Sequence, residues 1–245
     1  MQSSDPLAQA KIDLTAALRM AAIMNLSEGV CNHFSMETPD DPDLFLMNPQ
    51  GLHWSEITPA DIVTVDTEGN VVAGKHTVEP TAFNIHSRIH TDKKKKVVLH
   101  THMPYASALT LLDGGELDVL AAQNAMRYFG RVGYDRTYGG LALDSDEGTR
   151  ITNAMGDVDV VFLQHHGVLV CGDNMAYAYD DLYYLERACM VQVLAQSTGG
   201  RLKQVDAATA GHTATQIEGE RQQSILHFEA LKRILDRTEP GWSKF

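Results

Sequence analysis

"VVLHTHMPYASALT", residues 97–110, decides the fold. Apolar and β-branched residues run into two histidines one residue apart. In a strand, residues i and i+2 point to the same face, so His100 and His102 share a side and Thr101 takes the other. Pro104 ends the strand and opens a helix, because a first-turn residue needs no amide hydrogen. Both imidazoles therefore sit at the carboxyl end of a strand, just before a helix, where ligand sites of α/β folds gather. Taken alone, His-x-His is explained equally well by two hydrogen-bonded histidines with no ion; a third ligand would decide.

Outward from this stretch, strand and helix signals alternate. "SSDPLAQAKIDLTAALRMAAIMNLSEG" has Ser/Asp caps, Pro6 and an amphipathic pattern that predicts a helix ending near Gly29. "HFSMETPDDPDLFLMNPQG" predicts two short strands around an Asp/Pro turn, and "DIVTVDTEGNVVAG" a hairpin. "TAFNIHSRIHTD" is helical, as is "PYASALTLL" up to Gly114-Gly115. "ELDVLAAQNAMRYFG" reads as a further helix and "RVGYDR" as a strand. "SDEGTRITNAMG" is a helix capped by Gly156, and "NMAYAYDDLYYLERACMVQVLAQSTGG" a long one. Gly199–His212 reads as a polar, mobile connection to a last helix after about residue 212. No repeat or linker divides the chain, so residues 1–245 are expected to form one domain, a mixed sheet with helices on both faces.

The 245 residues carry 44% hydrophobic side chains and a net charge of −12. Such acidity argues against a nucleic-acid partner. The basic run Lys93–Lys96 reads as a solvated loop. Cys31, Cys171 and Cys189 match no zinc or redox spacing. Neither a signal peptide nor a membrane span is evident, so a reduced, cytoplasmic protein with no membrane partner is expected.

"FLQHHGVLV" is the second chemical stretch. An apolar strand breaks at His165-His166-Gly167 and resumes, repeating the placement of imidazole at a strand end. Three imidazoles plus an open position make a catalytic zinc, manganese or related divalent site. An ion there polarises a carbonyl and stabilises an enolate.

These two stretches resemble the class II aldolase/adducin family, in its adducin-like bacterial branch, over about residues 7 to 195. "GVCNHFSM" stands where the family has Gly-Asn-Ile-Ser. "NPQGLHWSEITPADIVTVDTEGN" stands where it has Pro-x-Gly and a Leu-x-x-Asp hairpin. The resemblance implies a single three-layer α/β/α domain with a central, mainly antiparallel sheet. It also implies a homotetramer with active sites between subunits. It assigns metal ligation to His100, His102 and His166, with Zn2+ the first choice and Mn2+ or another divalent ion as alternatives. His165 falls where aldolases have asparagine, and it orients a ligand or meets substrate. Asn32, Gly51, Thr81 and Gln123 are the other implied substrate contacts.

The match breaks at "VEPTAFNIH". Sugar-phosphate aldolases have Pro-Ser-Ser-Glu there; aligning on His86 puts Ala82 at the glutamate. Glu79, before Pro80, is the nearby carboxylate and the candidate catalytic group, since a residue before proline is held extended and can aim its side chain at the ion. Only Thr81 remains to bind phosphate, so the expected substrate is non-phosphorylated. Gln123 lies near the position of the tyrosine that aldolases supply from a neighbouring subunit. His86 and His90, one turn apart, lack the intervening glutamate of zinc proteases and read as a packed helix face. Tyr183, Tyr184, Glu186 and Arg187 read as packing and surface ion pairs, with Arg187 an optional substrate anchor.

The function so implied is a metal-dependent lyase, an aldolase or decarboxylase, acting on a small carbonyl or hydroxy-acid substrate. Two alternatives stay open: a metal-dependent sugar epimerase, and a non-catalytic scaffold like the adducin head, which belongs to an actin- and spectrin-binding cytoskeletal protein.

Overall fold

In the computed structural model, which describes residues 4–141 and 145–245, Asp5 caps helix α1 (Pro6–Ile23) by accepting from the Leu7 amide at 3.1 Å. The helix stops short of Gly29 because Asn25 turns into the left-handed region, with φ +57°. The freed residues form a loop that leads into the sheet.

Eight strands form that sheet: β1 (His33–Glu37), β2 (Phe45–Met47), β3 (Val63–Val65), β4 (Val71–Ala73), β5 (Val97–Thr101), β6 (Val132–Asp135), β7 (Val160–Leu163) and β8 (Gly167–Gly172). Their spatial order is β4-β3-β2-β1-β5-β8-β7-β6. All neighbours are antiparallel except β6 and β7. The sheet is mixed and mainly antiparallel, as expected.

Period-two alternation assigns the two faces. Val97 and Leu99 of β5 and Val168 and Val170 of β8 join one core with α1, α3 (Pro104–Thr110), α6 (Met175–Gln196) and α8 (Gln222–Thr238). Val98, Leu169 and Cys171 face the other way, onto Ile85 and Ile89 of α2 (Pro80–Lys93) and Ile151 and Met155 of α5 (Ser145–Met155). A register slip of one residue would move every one of these side chains to the wrong layer, at roughly 1.5–3 kcal/mol for each large one exposed. Histidines on the α2/α5 face therefore have a fixed address.

Two expected elements differ. "ELDVLAAQNAMRYFG" is helical only in α4 (Gln123–Met126). The preceding amides find partners elsewhere: Leu117 N–H donates to the Tyr134 hydroxyl, Asp118 N–H to Gln192 Oε1 and Leu120 N–H to the Asp118 carboxylate. Two tertiary partners and one local Asp side chain replace the helical ones, and helix propensity loses. At the other end, the final stretch is two helices, α7 (Ala207–Gly219) and α8, with Asp206 capping the first through the Thr209 amide. The connection before them is thus shorter than Gly199–His212. Among the described residues no helix is long and apolar enough to cross a membrane. The three cysteines are free thiols.

The C-terminal helices are tied down by charge. Asp181 of α6 is buried and accepts from Arg127, Arg131 and Arg221 at 2.8–3.1 Å. Burial would raise its carboxyl, but Arg131 and Arg221 outweigh that and hold it below the usual range. Neighbouring Asp180 accepts from Arg127, from Ser224 Oγ at 2.7 Å and from His227 Nδ1 at 2.7 Å. Asp181→Asn leaves a guanidinium cluster without its counter-charge and is expected to cost about 3–5 kcal/mol. Urea unfolding measures this; a loss below about 1 kcal/mol would contradict the network's role.

Candidate metal centre

Residue types and strand ends bring His100, His102 and His166 together. His100 lies on β5, His102 just beyond it, and His166 immediately before β8. Because Thr101 pairs with Val168, β8 begins beside the point where β5 ends. One potential ligand atom from each of the three histidines falls within 4.8 Å of the others. Ring centres are 4.7–5.0 Å apart.

Hydrogen bonds fix two of the rings. His100 Nδ1 faces the Val168 carbonyl at 3.0 Å, so it carries the hydrogen and leaves Nε2 bare. His102 Nδ1 donates to the Glu28 carboxylate at 2.6 Å, which likewise frees Nε2. The two Nε2 atoms are 3.2 Å apart and aim at one point. Carboxylate–histidine pairs of this kind orient metal ligands and raise their basicity. Burial, then the neighbouring imidazoles His166 and His102, push His100 far below the usual histidine range. Burial and His102 lower His166 to about 4. Neutral imidazoles with lone pairs converging are what a divalent ion requires. The donor set therefore fits the ion that the motif implies.

Local backbone makes this possible. A Cβ on Gly167 would stand 2.4 Å from the Thr101 carbonyl and 2.9 Å from the His102 ring, so only glycine lets β8 come so close. His165 takes a left-handed φ of +58°, uncommon for a side chain of its size, with its N–H on the Thr110 carbonyl at 3.3 Å. That turn leaves His165 exposed against Tyr138 while His166 joins the triad.

The other sequence candidates scatter. Asn32 is buried; its Oδ1 accepts from the Glu28 amide at 2.7 Å and the His102 amide at 3.4 Å, and its Nδ2 has no protein partner. Glu79 precedes α2, half-buried, and accepts from His33 Nε2 at 2.7 Å. This hydrogen bond is the largest cause holding its carboxyl below the usual range, and Thr81 adds a second. His33 in turn stacks on His100, with ring centres 5.8 Å apart. Gly51 sits in an exposed turn at φ +80° with open space around it. Gln123 opens α4 and lines a groove of about 670 Å³ with Tyr184 and Ser224, away from the triad. His86 and His90 hold Ser35 between them, at 2.6 and 2.7 Å. Glu186 corrects the surface-pair reading: it is buried and accepts from the Tyr105 and Ala106 amides at the start of α3. Arg187 stacks over Tyr183 on the exposed side of α6.

Glu28 and His33 were missed in sequence. His33 had a signal, since it neighbours Asn32 in "CNHFS" and is the cross-strand partner of His100. Glu28 had none; it lies 74 positions from His102 in a loop.

Relatives and solved structures agree with this architecture. The family model described as "Class II Aldolase and Adducin N-terminal domain" matches residues 12–193. An aldolase II superfamily protein from Pseudomonas syringae is similar in structure, with a TM-score of 0.90, 31% identity, and 98% of this chain and 97% of that one covered. An L-fuculose 1-phosphate aldolase from Glaciozyma antarctica PI12 gives a TM-score of 0.86 at 25% identity, covering 100% and 96%. The decarboxylase NovR of Streptomyces niveus is 30% identical over 227 residues, 90% of this chain and 83% of that one.

The buried imidazoles set a pH dependence. His90, lowered to about 4 by burial, and His166, also about 4, lie below their unfolded value of 6.5. The unfolded chain binds more protons between these values. Stability is therefore full above about pH 6.5 and falls as pH drops toward 4, by up to about 3 kcal/mol per histidine. The urea midpoint of metal-free protein is expected to fall between pH 6.5 and 4.5; an unchanged midpoint would contradict neutral buried rings.

Proposed function

The chain belongs to the class II aldolase and adducin family, and from that premise we propose that it is a divalent-metal-dependent lyase. It cleaves a carbon–carbon bond in a small, non-phosphorylated carbonyl or hydroxy-acid substrate. The convergence of His100, His102 and His166 on one point carries this reading. Zinc suits three imidazoles and an open position, with manganese or another divalent ion as the alternative. When bound, such an ion supplies Lewis acidity toward substrate oxygens and stabilises the negative charge left by cleavage.

The chain's own groups divide the remaining work. The unpartnered Nδ2 of Asn32 offers a buried donor for a substrate oxygen. Glu79, kept ionised by His33, accepts a proton from a substrate hydroxyl, a contribution of about a hundredfold or more for a true general base. His165 meets substrate from the exposed side. Phosphate is disfavoured because the Thr81 hydroxyl is engaged by Glu79, an anion that repels it. Aldol cleavage and decarboxylation both pass through an enolate-like anion. Decarboxylation asks less of the chain, since it removes no hydroxyl proton, and the similarity to NovR points the same way.

The functional unit in this reading is a homotetramer. Val191 and Leu194 on α6, both about half exposed, leave an apolar face for a neighbouring copy. A monomer in sedimentation at micromolar concentration would contradict it. For the ion, elemental analysis of protein purified without added metal is expected to give one divalent ion per subunit. His102→Ala should lose most of it while keeping the fold by circular dichroism. Full occupancy in that variant would sink the assignment.

A further inference from the structure

Helix α3 is 7 residues long and stands between the two stretches that carry the histidine triad. Its first residue, Pro104, follows His102 by two positions, and the intervening Met103 is fully buried. Its last residue, Thr110, reaches the other stretch. The Thr110 carbonyl accepts from the His165 N–H at 3.3 Å, next to His166. One short helix therefore touches both halves of the site.

So short a helix has little stability of its own, and its first amides find no partners inside it. The local sequence supplies no cap, since Met103 precedes the helix and offers no side-chain acceptor. Every first-turn amide is nonetheless satisfied. Pro104 has no N–H. The Tyr105 amide donates to Glu186 Oε1 at 2.8 Å, the Ala106 amide to Glu186 Oε2 at 2.9 Å, and the Ser107 amide to the Met103 carbonyl at 2.9 Å. Glu186 lies on α6, 80 positions from Ala106. It is buried, and burial raises its carboxyl against the pull of the two amides. Burying a carboxylate is costly. What it offers here is two acceptor oxygens, without a hydrogen, facing the positive end of a helix.

We propose that Glu186 is a positioning residue of the metal centre. By clasping the start of α3 with both carboxylate oxygens it makes the helix a strut, which sets His102 at one end and the His165-His166 turn at the other. His100 needs no such support, because it sits inside the β5–β8 ladder. His102 and His166 lie just beyond the strand ends, where ladder bonds no longer fix the backbone. A shift at either end of the strut spreads the ligand atoms, and zinc holds imidazole nitrogens at about 2.0–2.1 Å.

This inference rests on the proposed function only in taking the triad as a metal site. Its test uses the full chain, metal-free and with zinc. Glu186→Gln sets an NH2 group against one of the two amides. In 1H–15N spectra of the metal-free variant, the backbone amide signals of His102 and His165 are expected to shift along with those of Tyr105 and Ala106. By chelator competition the same variant, folded by circular dichroism, is expected to bind zinc about tenfold more weakly than wild type, the low end for a residue that orients a metal ligand. Glu186→Asp, one methylene shorter, should move both readouts the same way and serves if the Gln variant does not fold. Lys232→Met, which breaks the ion pair between α8 and Asp13 of α1, shows what lost stability alone does. Its His102 and His165 signals and its zinc affinity should stay at wild type. Unmoved His102 and His165 signals in Glu186→Gln, an unchanged zinc affinity in that variant, or the same changes in Lys232→Met would overturn the proposal. Wild type that binds no zinc refutes the lyase reading, and the metal-free signals still decide the strut.

Discussion

Thr101 pairs with Val168, and His100 with Leu169, in the antiparallel ladder between β5 and β8. The site follows from that register. It sets the turn before β8 beside the end of β5, so two sequence stretches more than sixty positions apart share one pocket. Close approach at Gly167 is the steric condition, since any Cβ would strike the Thr101 carbonyl and the His102 ring. The same ladder continues to β1, where His33 is the partner of His100. Three adjacent strands thus point imidazoles to one side of the sheet, and α2 covers the continuation of that side.

Holding these rings without charge is the electrostatic counterpart. Burial is the largest cause that lowers His100, His166, His86 and His90. Charging any of them would place cations side by side in a poorly solvated layer. Neutrality leaves lone pairs, and a neighbouring acceptor decides which nitrogen keeps one. The Val168 carbonyl does this for His100, while the Glu28 and Glu79 carboxylates accept from His102 and His33. Carboxylates thus stand behind the imidazoles, an arrangement that favours a cation at the pocket's centre.

Much of this was legible in the sequence, for reasons that differ by residue. His-x-His at a strand end is a period-two signal, and His-His-Gly between apolar runs marks a break that only a turn explains. The mixed sheet followed from alternating strands and helices. What the sequence hid was tertiary. The partners of Leu117 and Asp118 are Tyr134 and Gln192, so a helical pattern there lost to bonds no window reveals. The C-terminal helices begin earlier than polarity suggested because Asp206 supplies a local cap. Glu186 looked like a surface charge on a long helix, yet it satisfies the first amides of α3. Glu28 reaches His102 only through the loop that Asn25 starts.

The central claim is that His100, His102 and His166 together hold one divalent ion. X-ray absorption at the zinc edge, on protein loaded with one equivalent of zinc, tests it most directly. The account predicts three imidazole nitrogens at about 2.0–2.1 Å with oxygen completing the coordination. Fewer than three imidazoles, or sulfur from a cysteine in the inner sphere, would contradict it.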